Sequence, residues 1–455
     1  MRDLRRAMIS SIYALMTPAA RLQAAIEVLS EIEKSAKPAD SVASFYFKQR
    51  RYIGAKDRRA VAETVWRVLR RRARLDWWLE HLDHPERPNA EGKGGARARV
   101  LADMIFEGIK PEPDLFKGPH SAYPPEPPER RVLDMLAGQK SLFHRDMPPH
   151  VRGEYPQWLT PRLTALFGDN LDAEMGAMRD EAPLDLRVNT LKATREEAIR
   201  ALAKEGIKSQ PTALSPIGLR LGTRVPLVQV QAWRNGLIEV QDEGSQLVAL
   251  LTDPKPGQAV VDYCAGAGGK TLALAAAMQN KGRLVACDVA EWRVDRAQDR
   301  LRRAGVHNVT RRVIEGESDK WIKRSAASFD RVLVDAPCTG TGTWRRNPDA
   351  KWQFGETDLE ELVVRQGAIL ESAARLTKPG GRLVYATCSI MREENEDRIE
   401  AFLAAHPDYR PVPVPEIWAD LAGTPCPVPG PWLRLSPQAH GTDGFFAAVL
   451  EKASA

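Results

Sequence analysis

Residues 259–277, AVVDYCAGAGGKTLALAAA, combine a short apolar run, a glycine-rich loop and an apolar helical stretch. Similar apolar runs alternate with helical stretches farther along, the runs at 284–286, 332–334 and 383–385 and the helical stretches at 292–304 and 359–376. This alternation is typical of βαβ units, in which helices join parallel strands. The sequence therefore predicts an α/β fold with a mostly parallel, doubly wound sheet.

The glycine loop matches three kinds of ligand site to different degrees. A phosphate-binding P-loop, G-x-x-x-x-G-K-[ST], fits Gly269-Lys270-Thr271, but Cys264 stands in place of its leading glycine. A dinucleotide fingerprint, G-x-G-x-x-G, fits Gly266 and Gly268, but Thr271 stands at its third glycine. A nucleoside without a pyrophosphate still needs glycines for close backbone approach, and a helix N-terminus can accept its anionic group, such as a carboxylate.

Asp288 favours the third kind of ligand. It ends the next predicted strand, twenty residues after Gly268, where an acidic residue can bind ribose hydroxyls. S-adenosylmethionine has a ribose and a carboxylate but no phosphate, so it fits both the loop and Asp288. S-adenosylmethionine is the predicted cofactor.

Two cysteines follow the ends of predicted strands. Cys338 comes after the run 329–334, and Cys388 comes after 381–386. The ligand crevice of an open parallel sheet lies outside the carboxyl ends of its strands, so both thiols face the cofactor if the two strands are neighbours. A cysteine is usually a small buried apolar residue, our interpretation of Cys287 and Cys426. Cysteines flanked by Asp, Pro, Thr and Ser instead predict chemistry.

The N-terminal part is helical and basic in character. Apolar residues recur at helical spacing through the first 80 residues. Between Lys48 and Arg74 stand eleven basic and two acidic residues, a charge of +9 that exceeds the net +6 of the whole chain. Such a run is typical either of a solvated helical face or of a nucleic-acid contact.

We predict three domains, a helical one over residues 1–150, a small α+β one over 151–240 and the α/β one over 241–455. The polar segment 86–99 and the segment 111–130, which has seven prolines, are predicted to be irregular. In the small domain we expect strands at 184–188 and 217–221 and a helix at 194–204.

Several classes of protein are disfavoured. The sequence has no apolar run of about 18 residues, which a membrane-spanning helix would need. Its five cysteines form no C-x-x-C pair, so a disulfide scaffold and a zinc ribbon are both unexpected. The segment from Met1 to Met16 superficially mimics a signal peptide but lacks a convincing cleavage site. We expect a cytoplasmic protein with no metal and no membrane partner.

The motifs together resemble the RsmB/Sun family of RNA 5-methylcytosine methyltransferases. The matching stretches are 187–190, 241–246, 264–270, 335–342 with 345–349, 385–389 with 393–396, and 441–446. Residues 57–76 are similar to the NusB-like RNA-binding domain of members that act on small-subunit rRNA. The sequence departs from the family at Gly266-Ala267, where Ala-Pro is usual, and at Glu317, where Asp is usual. The segments 85–99 and 111–130 also lengthen the N-terminal domain.

The resemblance implies how such an enzyme works. Cytosine C5 is a poor nucleophile, and addition of a thiolate to C6 activates it. The family implies that Cys388 is this nucleophile, that Asp335 protonates or hydrogen-bonds the N3 edge of the base, and that Cys338 assists release. In DNA cytosine methyltransferases the cysteine after proline is the nucleophile, which would be Cys338 here. The residues expected at the cofactor are Cys264, Ala265, Gly266, Ala267, Gly268, Gly269, Lys270, Asp288, Arg293, Glu317 and Asp335.

The resemblance also implies the architecture and the substrate. We expect a Rossmann-like S-adenosylmethionine methyltransferase domain, preceded by a small α+β domain and an all-helical NusB-like domain. The predicted activity is methylation of cytosine C5 in RNA, on small-subunit (16S) rRNA, by a monomer. The alternatives are an enzyme acting on tRNA, an RNA-binding ribosome-assembly factor with a vestigial methyltransferase domain, and a P-loop nucleotidase.

Overall fold

The computed structural model describes residues 16–82 and 95–454, and its contacts divide the chain into two compact units. The first unit holds the described residues up to Arg179 together with Asn347–Gln353. The second holds Asp180–Arg346 and the described chain from Phe354 onward. The domain limits at residues 150 and 240 stay predictions. In the described parts of the chain, no helix is long and apolar enough to cross a membrane.

The first unit is helical. Its α-helices are Pro18–Glu33, Ala39–Gln49, Ala55–Arg70, Arg72–His81, Ala96–Phe106, Pro127–Ala137, Pro149–Gly153, Thr160–Phe167 and Leu171–Arg179, and its 3-10 helices are Pro113–Phe116, Gln157–Leu159, Gly168–Asn170 and Ala350–Trp352. Val61, Val65 and Val68 recur on one face of their helix and are buried in the shared core. The helical prediction is confirmed for the described residues up to 82, while residues 1–15 lie outside them.

Two segments predicted to be irregular are partly helical. Of 86–99, residues 86–94 lie outside the described chain, and a helix starts at Ala96 and buries Val100 and Leu101. Another helix begins at Pro127, where the side chain of Glu129 accepts a hydrogen bond from the backbone N of Glu126 at 3.2 Å. At Pro127 the prediction was wrong because proline is well tolerated in the first turn of a helix. The helix that begins at Ala96 contains no proline and follows the glycine-rich part of the segment.

Part of the basic run is internal to this unit. Arg67 and Arg71 donate to the carboxylate of Asp103 at 2.7 and 2.8 Å, and Asp103 is fully buried. Arg74 pairs in the same way with buried Glu154, at 2.7 Å. A buried carboxylate is costly unless it is paired, so these arginines serve the packing of the helices.

The second unit contains two sheets. The smaller sheet consists of β1 (Leu184–Val188), β2 (Ser209–Pro211), β3 (Gly218–Leu221) and β4 (Ile238–Val240). Its strands are antiparallel and lie in the order β2-β3-β1-β4. The predicted strand 184–188 and the helix predicted at 194–204 are confirmed, the helix spanning Arg195–Lys204. Thr194 and Glu197 form a capping box that fixes where this helix begins.

The larger sheet has the order β10-β12-β9-β8-β5-β6-β7, with β11 paired to β12. Its strands are β5 (Ala259–Asp262), β6 (Arg283–Asp288), β7 (Val309–Val313), β8 (Phe329–Asp335), β9 (Thr377–Thr387), β10 (Tyr409–Pro411), β11 (Leu433–Leu435) and β12 (Phe445–Lys452). Strands β5 to β9 are parallel, whereas β12 is antiparallel to β9 and lies between β9 and β10. The first strand, β5, is central, so the order reverses there and creates a ligand crevice at its carboxyl end.

Helices cover both faces of the larger sheet. The α-helices of the second unit are Arg195–Lys204, Gln231–Arg234, Glu243–Thr252, Gly269–Ala277, Glu291–Ala304, Lys320–Arg324, Glu356–Ala374, Glu396–Ala405, Val414–Ala422 and Pro437–His440, and its 3-10 helices are Leu227–Gln229, Thr341–Thr343 and Arg392–Glu394. Because side chains alternate along a strand, Val260 packs with Leu247 and Leu274 on one face while Val261 packs with Ile369 on the other. The predicted doubly wound α/β fold is confirmed.

Candidate active site

The glycine loop joins β5 to the helix Gly269–Ala277. Gly266 and Gly268 have φ angles of +54° and +80°, a region that residues with a side chain rarely adopt. A Cβ at Gly268 would lie 3.1 Å from the Cβ of Ala297, whereas a Cβ at Gly266 would meet nothing within 4 Å. The loop therefore packs closely on one side and leaves open space on the other.

Asp288 ends β6 beside this loop. Its Oδ2 accepts a hydrogen bond from the backbone N of Gly266 at 2.9 Å, and its Oδ1 accepts one from Ala290 at 2.8 Å. Each carboxylate oxygen has two lone pairs, so both oxygens can accept a further hydrogen bond. Asp288, the open space over Gly266 and the helix N-terminus after Gly268 fit the ribose, the close approach and the carboxylate of S-adenosylmethionine.

Two arginines hold the glycine loop through hydrogen bonds to its backbone carbonyls. Arg187, on β1, donates to the carbonyl of Gly269 at 2.7 Å, and its burial lowers its pKa to about 10. Arg300 donates to the carbonyl of Ala267 at 2.7 Å. Neither arginine was predicted to hold the loop. Their type alone could not reveal it, because the acceptors are backbone carbonyls.

Cys338 and Cys388 meet at the carboxyl ends of β8 and β9. The two strands are parallel neighbours, and the sulfur atoms lie 3.4 Å apart. The condition set by the sequence, that these strands be neighbours, is confirmed. The hydrogen bond to Cys388, followed by burial and the nearby charge of Glu394, raises the pKa of the Cys338 thiol well above its ordinary value.

An ion pair stands beside the thiols. Lys270 Nζ, in the first turn of the helix after the glycine loop, lies 2.6 Å from Oδ2 of Asp335 at the end of β8. Burial would lower the pKa of Lys270, but the charge and hydrogen bond of Asp335, with a contribution from Cys388, raise it. The raised pKa keeps Lys270 protonated, so that it places a positive charge at this point of the crevice.

The C-terminal motif packs against the loop after Cys338. Gly342 donates to the carbonyl of Cys388 at 2.9 Å and accepts from Gly444 at 2.8 Å. A Cβ at Gly342 would lie 2.1 Å from the carbonyl oxygen of Gly444, so only glycine fits there. This close approach explains why the two motifs, a hundred residues apart in sequence, both contain glycine.

Four charged residues join the same motifs. Arg345 and Arg346 both donate to Asp443, the first at 2.6 Å, and Arg346 also donates to Asp242 at 2.8 Å. Burial, then the charge of Asp443, raises the pKa of Asp242 to about 6. The cluster fixes the C-terminal motif and the helix Glu243–Thr252 to the loop that follows Cys338.

The remaining predicted cofactor residues have more varied surroundings. Cys264 is partly buried, and desolvation raises its pKa well above the ordinary value. Ala265 donates from its backbone to the carbonyl of Cys287 at 2.8 Å, and Cys287 is fully buried, as expected of an apolar role. Arg293 is exposed on its helix, and Glu317 is half-buried and accepts from Ser372 at its backbone carbonyl. Their contacts with a cofactor stay predictions.

The fold and the site together define an S-adenosylmethionine-dependent methyltransferase with a Rossmann-like domain. Residues 249–451 match the family model of 16S rRNA methyltransferase RsmB/F, and residues 155–228 match the RsmF/B-like ferredoxin-like domain. The chain is 31% identical over 427 residues to "Probable ribosomal RNA small subunit methyltransferase B" of Synechocystis, which covers 89% of this chain and 93% of that protein. The chain belongs to the RsmB/F methyltransferase family, as its motifs indicated.

Two further similarities agree. The ribosomal RNA small subunit methyltransferase B of Pectobacterium atrosepticum is 32% identical over 416 residues, covering 88% of this chain and 92% of that protein. The crystal structure of PH0851 superposes with a TM-score of 0.77 at 30% identity, over 96% of this chain and all of the other. Both similarities extend across the methyltransferase domain and the parts that precede it.

Proposed function

We propose that the protein methylates C5 of a cytosine in small-subunit rRNA, in the cytoplasm, through a covalent bond from Cys388 to C6. The observation that carries this proposal is the 3.4 Å distance between the Cys338 and Cys388 sulfurs, beside the Lys270–Asp335 ion pair. Bisulfite sequencing of total RNA from cells with and without the gene tests it. Loss of one methylated position in 16S rRNA is the expected result, and loss confined to tRNA would support the tRNA-directed alternative.

The residues divide the chemistry among them. When bound, S-adenosylmethionine supplies an electrophilic methyl group. The Cys388 thiolate adds to C6 of the base, which makes C5 nucleophilic. C5 then takes the methyl group, whose bond to the sulfonium sulfur breaks. A base then takes the C5 proton, the electron pair of that C–H bond re-forms the C5–C6 double bond, and the Cys388–C6 bond breaks to restore the thiolate. Asp335 protonates or hydrogen-bonds the N3 edge of the base, and Cys338 assists the release.

The environment of Cys338 favours Cys388 as the nucleophile over the reverse assignment. Only the thiolate is nucleophilic. Cys338 shares a hydrogen bond with Cys388, is buried and has the carboxylate of Glu394 nearby, and all three raise its pKa. Cys388 instead has the positive charge of Lys270 in its neighbourhood. A raised pKa disfavours the Cys338 thiolate and therefore disfavours Cys338 as the group that attacks C6.

Cofactor binding gives a first quantitative prediction. Asp288→Ala removes the carboxylate proposed to accept hydrogen bonds from both ribose hydroxyls, a charge-assisted contact of about 1.5–3 kcal/mol. We expect S-adenosylmethionine to bind roughly ten- to a hundred-fold more weakly in calorimetry, while RNA affinity hardly changes. Asp295→Ala, an exposed acid on the following helix, is the matched control. Unchanged cofactor affinity in Asp288→Ala would place the ribose elsewhere.

A basic face on the helical unit is the proposed RNA contact. Exposed cations and aromatic rings occur at the end of the helix Ala39–Gln49, in the turn that follows and in the first turns of the helix Ala55–Arg70. We call this set, Phe45, Lys48, Arg51, Tyr52, Lys56 and Arg59, the basic face. Phe45 and Tyr52 are 58% and 64% exposed, although aromatic rings are usually buried. Cations with exposed rings suit phosphates and unstacked bases. The paired arginines Arg67, Arg71 and Arg74 are not part of it.

The salt dependence of RNA binding tests the basic face. Each phosphate contact contributes about −0.7 to the slope of log K against log salt on single-stranded RNA. Replacing Lys48, Arg51, Lys56 and Arg59 by Gln should therefore flatten the slope by about 3 and leave S-adenosylmethionine affinity unchanged. The same change at four other exposed cations serves as control, namely Lys110, Lys117, Lys140 and Arg145. An equal loss of slope in both variants would mean that the basic face is only a solvated surface.

A further inference from the structure

Glu394 is a buried carboxylate between the two loops that carry the cysteines, and the chemistry above does not use it. Its Oε1 accepts from the backbone N of Thr339 at 2.9 Å. Its Oε2 accepts from the hydroxyl of Thr339 at 2.6 Å and from the hydroxyl of Ser389. One carboxylate is thus bonded to the residue after Cys338 and to the residue after Cys388.

A helix on the face of the sheet completes the arrangement. Gln366, in the helix Glu356–Ala374, donates from Nε2 to Oε1 of Glu394 and to the carbonyl of Pro337, each at 2.9 Å. Glu394 and Gln366 are both fully buried. A buried carboxylate is costly unless several donors satisfy it, and four donors do so here. The Cys338 loop is therefore held at the residues on both sides of the cysteine.

We propose that Glu394 is a positioning residue for the release step, because it locks the Cys338 loop to the Cys388 loop and so fixes the two sulfurs at their working separation. This inference rests on the proposed function, in which Cys388 forms the adduct and Cys338 assists its collapse. A displacement of about 1 Å can cost a reaction roughly a hundred-fold in rate. The hydrogen bonds of Glu394 fix the position of Cys338 rather than that of the cofactor, because none of them reaches the glycine loop or Asp288.

The kinetics of two variants test whether Glu394 positions the Cys338 loop for the release step. Glu394→Ala removes all four acceptor contacts, and we expect kcat to fall roughly a hundred-fold while KM for RNA and affinity for S-adenosylmethionine stay unchanged. A protein–RNA adduct should accumulate on a denaturing gel, because addition still proceeds and release does not. Glu394→Gln keeps the shape, and its amide can donate to the Thr339 and Ser389 hydroxyls, so it should recover much of kcat. Glu361→Gln, an exposed acid on the neighbouring helix, is the control.

Thiol labelling gives a readout that does not depend on turnover. The charge of Glu394 is one of the causes that raise the pKa of Cys338, so Glu394→Gln should let iodoacetamide label Cys338 at lower pH than in the wild type, as located by mass spectrometry. An unchanged labelling profile in Glu394→Gln together with normal turnover in Glu394→Ala would overturn the proposal. So would a parallel loss of adduct formation and cofactor affinity in Glu394→Ala, which a merely structural role predicts.

The Cys338→Ala variant distinguishes a failure of the proposed cysteine roles from a failure of the role proposed for Glu394. If it forms no adduct with RNA, the proposed division of roles between the cysteines fails, whatever Glu394 does. If Cys338→Ala accumulates adduct and Glu394→Ala turns over normally, the division of roles stands and only the role of Glu394 is overturned.

Discussion

Cys388→Ala should abolish methyl transfer, by at least about 10⁴-fold, while S-adenosylmethionine binds as in the wild type. The reason is chemical, since C5 of cytosine does not attack the methyl group unless a nucleophile has first added to C6. Methyl incorporation into RNA from labelled cofactor measures the loss, and calorimetry measures cofactor binding. The matched control is Cys426→Ala, a cysteine outside the crevice whose sulfur lies 3.2 Å from the carbonyl of Val428.

RNA with 5-fluorocytosine at the target position identifies the bond itself. Fluorine at C5 cannot leave as the proton does, so the wild-type enzyme should remain attached to the RNA after methyl transfer. Cys388→Ala should show no such complex on a denaturing gel. Retained turnover in Cys388→Ala would reverse the assignment and make Cys338 the nucleophile.

Cys338→Ala should have the opposite phenotype and trap the enzyme on ordinary RNA. Cys388 can still add to C6 and C5 can still be methylated, but the adduct collapses slowly without the second thiol. Turnover should fall to about a single cycle, and a slowly migrating protein–RNA band should appear with unmodified RNA and cofactor. Normal turnover without that band would show that Cys338 is structural.

Both results depend on the closeness of Cys338 and Cys388, which the sequence predicted only on condition that their two strands are neighbours. The apolar runs and the glycine loop predicted the parallel strands, and the position of each cysteine after a strand end predicted a shared crevice. Sequence could not establish that β8 and β9 are neighbours, because pairing between strands depends on the whole topology. The antiparallel strand β12 was not predicted at all, although its residues Phe445 and Phe446 stand in a motif that had been recognised.

The basic run shows a second limit of sequence. The residues Arg67 and Arg74 look no different from Arg59 in the sequence, yet the first two are paired inside the helical unit. Their partners, Asp103 and Glu154, lie 36 and 80 positions farther along the chain. Local charge density cannot reveal such distant pairing, so it cannot separate paired from unpaired arginines. Glu394 was missed for a similar reason, since its four donors come from three separate segments.

The insertion of β12 between β9 and β10 sets an order on the biogenesis of the active site. A ribosome delivers β9 and Cys388 well before β12, so on the nascent chain β9 has an open edge where β12 will later pair. Gly444, which holds the Cys338 loop, also emerges late. The enzyme therefore acquires its assembled active site only once translation has passed β12. A premature stop after Cys388 would release a chain with both cysteines but an unfinished sheet, prone to aggregation at its edge.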